Sequence, residues 1–263
     1  MSRTMKRRIY CGAICEQIVY QVPDRVKDTK VYEPEKGVKK ERFRSDEEYK
    51  KFKESISRRK HWQSFQANYG PEAIFSTLTF DVKNEVTDFA EARNVRNNFR
   101  RALERACPEA HFRIYMGRGR TTHRIHFHMV SSGIPVEVIR AKWKYGEVKR
   151  PVNLRKRCKD KQGRDIGQDY SALANYLFDH WTEEQGGHRW FATKNERQPE
   201  RENATEVKVH GGYGDNRPPI APKGYHLTMV FKNEYGYQYF RYAADKPEET
   251  SGSRPLNIRL VDV

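Results

Sequence analysis

The sequence predicts an α+β fold: a central antiparallel sheet with helices packed on one face, elaborated at both ends. Three observations predict it. The segments run strand, helix, strand, strand, helix, without the regular strand–helix alternation that builds a parallel sheet. Polar and apolar residues alternate in strand-like stretches such as TTHRIHFHMV at 121–130. The length, 263 residues, is enough for one large core with extensions.

In chain order, 9–22 reads as one bent strand, and a charged loop follows to about Arg44. Ser45-Asp46-Glu47-Glu48 has the S-x-x-E spacing of a capping box, whose serine oxygen takes an otherwise unpaired N–H of the first turn. A helix should run from there to about Asn68, with an irregular apolar side of Tyr49, Phe52, Ile56 and Trp62, and end at Gly70-Pro71. AIFSTLTFD at 73–81 is β-branched and aromatic, a strand with Thr77 and Thr79 on the face opposite Leu78 and Phe80. Asp88 and Glu91 open a second helix to about Ala106, with Phe89, Val95, Phe99 and Leu103 at helical spacing.

HFRIYMG at 111–117 is a strand, RGRTT a turn and RIHFHMV the returning strand. VEVIRAKW after Pro135 is a short helix, and YGEVKRPVNL a strand that Pro151 confines to an edge. RKRCKDKQGRDIG at 155–167 is a basic loop, and DYSALANYLFDHW at 169–181 a helix. Beyond Gly186-Gly187 the chain is polar and irregular to about Pro222. A hairpin around Asn233–Gly236 follows, then a tail from Asp245 that turns apolar at 256–261.

Lys and Arg number 51 against 35 Asp and Glu, a formal charge of +16, which points to a polyanionic partner. Aromatic residues at 12% suit single-stranded nucleic acid, whose bases stack on rings while phosphates meet cations. No apolar run approaches the roughly 18 residues of a membrane span. Glu16 and Gln17 interrupt the only leader-like stretch, so a signal peptide is not expected. Cys11, Cys15, Cys107 and Cys158 show no C-x-x-C spacing and read as reduced thiols of a cytoplasmic protein.

The chemistry concentrates in two places. His126 and His128 share one strand face, with Ile125, Phe127 and Met129 on the other. Either the polar face meets water, or the two imidazoles hold a cation. On the helix at 169–181, Tyr170, Leu173, Ala174, Leu177 and Trp181 form the stripe that should be buried. Tyr176 lies about 120° from its centre, on the side of Asp169 and His180, so packing does not require it. A cation on neutral imidazoles would polarise a scissile phosphate, and a phenol beside it could displace the sugar oxygen.

These blocks resemble the HUH endonucleases, named for His–hydrophobic–His, and in particular the rolling-circle replication initiators of phages and plasmids. IFSTLTF at 74–80 resembles the first motif, F-L-T-L-T. HFH at 126–128 matches the metal-binding motif, and ALANYL at 172–177 resembles the nucleophile motif, with Tyr176 at the tyrosine. GGHRWFATKN at 186–195 is similar to a downstream R-W-x-x-x-[RK]-N stretch. The blocks cover about half the chain.

The resemblance implies an HUH/Rep-like, ferredoxin- or RRM-like plate. It also implies an endonuclease domain over 1–195, with its core at about 73–195 and the 9–68 strand and helix packed on it. Residues 196–263 would be a C-terminal extension carrying the hairpin. Tyr176 would attack DNA and stay linked to the 5′-phosphate, with Tyr170 a lesser candidate. His126 and His128 would hold Mg²⁺ or Mn²⁺. Thr77, Thr79, Arg118, Arg120, Arg124, Arg189, Trp190 and Lys194 are candidate DNA contacts. The implied partners are single-stranded DNA at a replication origin, with host helicase and polymerase. The expected place of action is the bacterial cytoplasm.

The chain departs from the family pattern twice. Where the family has Y-x-x-K, this chain has Asp179, and His180 or Lys194 would have to replace the lysine. The usual third ligand on the preceding strand is missing from Tyr115-Met116-Gly117, leaving His111, His123, Asp169 or water. Alternative readings are a single-tyrosine transposase, a relaxase, or a basic nucleic-acid-binding protein without cleavage. No G-x-x-x-x-G-K-[ST] phosphate loop is present, so unwinding is expected to come from a separate helicase.

Overall fold

In a computed structural model, residues 2–23, 45–119, 121–208, 213–214, 217–234 and 236–246 are described. The charged loop at 24–44 and the apolar stretch at 256–261 lie outside them. The fold is α+β, with two antiparallel sheets and four α-helices among the described residues.

The single bent strand expected at 9–22 is instead a hairpin of β1 (Ser2–Cys11) and β2 (Ile14–Pro23), paired along its whole length. It turns at Gly12, whose φ is +59°, and a Cβ there would stand 2.6 Å from the Gln66 carbonyl oxygen. Only glycine lets the turn approach the neighbouring helix so closely. β1 escapes a periodicity reading because SRTMKRRIYC is basic through its centre and shows no apolar alternation.

That neighbouring helix is α1 (Asp46–Asn68). Ser45 caps it, its Oγ accepting from the Glu48 N–H at 3.2 Å. The first half of α1 leaves Tyr49, Phe52 and Ile56 exposed, and the second half buries Trp62 and Phe65. β3 (Ile74–Phe80) follows, then α2 (Phe89–Ala106), capped by Asp88 accepting from the Glu91 N–H at 2.9 Å. Next come β4 (His111–Arg118), β5 (Ile125–Ser132), α3 (Val136–Lys142) and β6 (Gly146–Asn153). α4 spans only Ser171–Phe178, shorter than the helix expected at 169–181. β7 (Trp190–Ala192) lies in the stretch read as irregular.

The first sheet has the order β6-β3-β5-β4-β7, and β6 with its Pro151 is an edge strand as expected. One face carries Leu78, Phe80, Ile114, Met116, Phe127 and Met129 beneath α2 and α3. The other carries Tyr115 and Val130 beneath α1 and α4. Helices therefore cover both faces, not one. The reason is that β4 and β5 supply apolar groups to both sides of the pleat.

The remaining strands are β8 (Glu200–Arg201), β9 (Thr205–Glu206), β10 (Tyr225–Lys232) and β11 (Gln238–Ala244). They build the second sheet, β10-β11-β2-β1-β8, with β9 also on β1. The hairpin expected near the C-terminus thus pairs with the N-terminal one through β11 and β2. Ile14 and Ala243 from this sheet enter the core under α1 and α4.

Candidate metal centre

His126 and His128 project from β5 toward the α1/α4 side of the first sheet. Their neighbours across the ladder are fixed by register: Thr79 and Thr77 on β3, Gly117 and Tyr115 on β4. A third imidazole comes from outside the sheet. α4 stops at Phe178, and the following turn, with the His180 N–H donating to the Leu177 carbonyl at 3.4 Å, brings His180 back over the pair.

The three Nε2 atoms converge. His128 Nε2 lies 3.3 Å from His126 Nε2 and 3.0 Å from His180 Nε2. One ligand atom from each residue falls within 4.8 Å of the others, close enough for the triad to bind a metal ion. Two nitrogens each about 2.1 Å from one ion are about 3.0–3.4 Å apart at octahedral to tetrahedral angles, so the spacing fits.

Each Nδ1 faces an oxygen: His128 the Thr77 Oγ1 at 3.1 Å, His180 the Tyr176 carbonyl at 3.0 Å, His126 the Arg124 carbonyl at a long 3.4 Å. A carbonyl only accepts, so Nδ1 carries the hydrogen in His126 and His180, and the same tautomer suits His128. Three Nε2 lone pairs then point at one another. A cation would relieve that repulsion, and the Nδ1 contacts are those that orient metal-ligating histidines.

Burial supplies the protonation state. Desolvation, reinforced by the neighbouring imidazoles, pushes His128 down to about 3, and desolvation also lowers His126. Both are therefore neutral, and able to ligate, at ordinary pH.

Gly117 explains how a third histidine fits. A Cβ at this position would come within 2.6 Å of His180 Cδ2 and 3.4 Å of His126 Nε2. β4 contributes no ligand here because its bare backbone is the floor on which His180 lies. The imidazole that joins the pair is thus His180, not His111, His123 or Asp169. His111 Nε2 donates to the Asn68 carbonyl at 2.7 Å, and Asp169 pairs with Arg241 at 2.6 Å.

Tyr176 stands at the rim, 49% exposed, with its hydroxyl 3.3 Å from His128 Nε2. Its ring meets the His180 ring edge-on at 4.3 Å between centroids. Tyr170 is elsewhere: buried, it donates to the Arg155 carbonyl at 2.9 Å. Asp179, at the family's lysine position, accepts from Arg58 of α1 at 2.6 Å, which lowers its pKa. It ties the end of α4 down.

The candidate DNA contacts divide. Thr77 supports His128, while Thr79 donates to the Glu147 carbonyl at 3.3 Å. Arg118 lies over the Phe89 ring, and Arg124 pairs with Glu85 at 2.7 Å. Arg189 stacks on Phe178 and Trp181. Trp190 and Lys194 line a separate cavity between α1 and β7. Arg120 lies outside the described residues.

The sequence marked Gly117 only as part of a stretch lacking the usual ligand, and gave no role to His61, Arg58 or Tyr115. Buried His61 Nε2 meets the Tyr115 hydroxyl at 2.8 Å. The glycine across the ladder from His126 was the one local sign of the space that His180 fills.

Comparison with protein-family models, with curated proteins and with solved structures returned no match.

Proposed function

We propose that the protein is a metal-dependent nuclease that breaks and rejoins single-stranded DNA through a covalent 5′-phosphotyrosine, as a rolling-circle replication initiator does. The observation that carries this reading is the Tyr176 hydroxyl, 3.3 Å from the Nε2 on which three imidazoles converge. The charge of +16 supports a nucleic-acid substrate.

A divalent cation on the triad would polarise the scissile phosphate and favour the phenolate. His126, His128 and His180 would hold it, with Thr77 Oγ1 orienting the His128 ring through Nδ1. The donor set is three imidazoles without carboxylate, a set that suits Zn²⁺, Fe²⁺ or Ni²⁺ by its nitrogen donors, so Mn²⁺ or Mg²⁺ here would take its remaining ligands from water and phosphate oxygens. Tyr176 Oη forms the new bond to phosphorus and releases its proton to water. The 3′-oxygen leaves and takes a proton from water. One phosphate ester replaces another, so a 3′-hydroxyl can reverse the step and join strands. Arg58 and Asp179 hold the nucleophile's helix and take no part in the bond changes.

The origin DNA, a host helicase and a host polymerase are the partners this role implies. The bacterial cytoplasm is the proposed compartment. Four free cysteines support it, and no helix among the described residues is long and apolar enough to cross a membrane.

The test is Tyr176→Phe with a single-stranded oligonucleotide library and Mn²⁺. Denaturing gels should show the wild-type adduct vanish, while oligonucleotide affinity stays within about threefold. An adduct of undiminished yield refutes the assignment. Asp179 in place of lysine favours one second reading, a nucleic-acid-binding protein without cleavage. EDTA-insensitive binding with no nicking in Mn²⁺ would establish that reading instead.

A further inference from the structure

A cavity of about 940 Å³ lies between α1 and β7, apart from the triad. Its walls carry Lys53, Lys60, Lys194 and Arg201. Among the described residues no carboxylate pairs with Lys53, Lys60 or Lys194, and Arg201 donates to Gln63 at 3.0 Å. The acid in the wall, Glu196, is already spent in a buried pair with Arg113 at 2.5 Å. The cavity therefore presents unopposed positive charge. Half-buried Trp190 forms part of its wall. His61, 2% exposed, also lines it and has no partner for Nδ1.

The cavity is joined to the triad by the sheet. Trp190, Tyr115, His128 and Thr77 are successive ladder partners on β7, β4, β5 and β3, so they lie in one row on one face. Trp190 is two strands from His128, about 9.6 Å at the usual spacing. Tyr115 between them is fully buried against His61 of α1, so this separation fixes how near the two sites lie and not the strand's path, which runs over the exterior.

We propose that this cavity binds the single strand next to the cleaved phosphate, with Trp190 stacking a base and Lys60, Lys194 and Arg201 meeting its phosphates. The proposal rests on the nuclease reading for which phosphate is cut, and it adds where the flanking nucleotides lie. Aromatic stacking beside cations takes any base, so this track gives grip and register without reading sequence.

The experiment measures binding of a fluorescent single-stranded oligonucleotide to the full chain in EDTA, across salt concentrations. Lys60→Ala/Lys194→Ala alters two exposed side chains and should fold normally. It is expected to weaken binding about tenfold and to flatten the salt slope by about 1.4, that is 0.7 for each lost phosphate contact. Trp190→Phe, which keeps a ring, should bind more tightly than Trp190→Ala. Mn²⁺ affinity, read by calorimetry, should be unchanged in the lysine double variant.

Unchanged affinity and slope in the double variant overturn the proposal. So does wild-type chain that binds no oligonucleotide, or that binds a mononucleotide as tightly. The readout needs no cleavage: weakened binding without any adduct would keep the track and sink the nuclease reading. A normal adduct with unaffected binding would do the reverse.

Discussion

At the residue scale, the site depends on three Nε2 atoms and the groups behind them. Removing His180 leaves two protein ligands, so His180→Ala should lower Mn²⁺ affinity at least tenfold by calorimetry. Thr77→Val should lower it by about tenfold, since it removes the partner of His128 Nδ1 while preserving shape. Equal affinity in both variants would mean that the triad is not a metal site. The histidine pair was legible because a strand has period two. The third imidazole was not, because its place depends on where α4 stops and on a missing side chain at Gly117. His180 was singled out in the sequence, but as a substitute for lysine.

At the element scale, α4 carries Tyr176 and delivers His180, and both its ends are tied. Asp169 accepts from the Ser171 N–H at 2.8 Å and pairs with Arg241 of β11 at 2.6 Å; Asp179 is held by Arg58. The first pair is buried, so Arg241→Met leaves a buried carboxylate without its cationic partner and should cost about 3–5 kcal/mol in urea unfolding. The second is partly exposed, and Arg58→Met should cost no more than about 1 kcal/mol. Helix starts were readable at Ser45 and Asp88, where cap and third residue are local. The true extent of α4 was not, since apolar spacing continues to Trp181 while the backbone turns at Asp179. Its ties come from residues up to 121 positions away.

At the scale of the whole molecule, the second sheet joins two hairpins far apart in sequence, with Glu16 of β2 opposite Arg241 of β11. Such pairing leaves no local trace, so the α+β class was legible and the division into two sheets was not. Buried histidines also set the pH response. Desolvation pushes His61 down to about 2 and His128 to about 3. The unfolded chain takes up protons at these groups first, near pH 6.5, so stability is full above that value and falls as pH drops toward the folded values. At pH 5 the two together should lower unfolding free energy by about 4 kcal/mol relative to pH 7.5, without metal. Urea midpoints at both values check it, and an unchanged midpoint would place these imidazoles in contact with water.

In the proposed reaction a cation on the triad and the Tyr176 phenol act on one phosphate. Peptide mapping by mass spectrometry after incubation with single-stranded oligonucleotides tests it most directly. Nucleotide mass should appear on the Tyr176 peptide in Mn²⁺ and be absent in EDTA. Adduct on another tyrosine, or adduct formed equally well in EDTA, would contradict it.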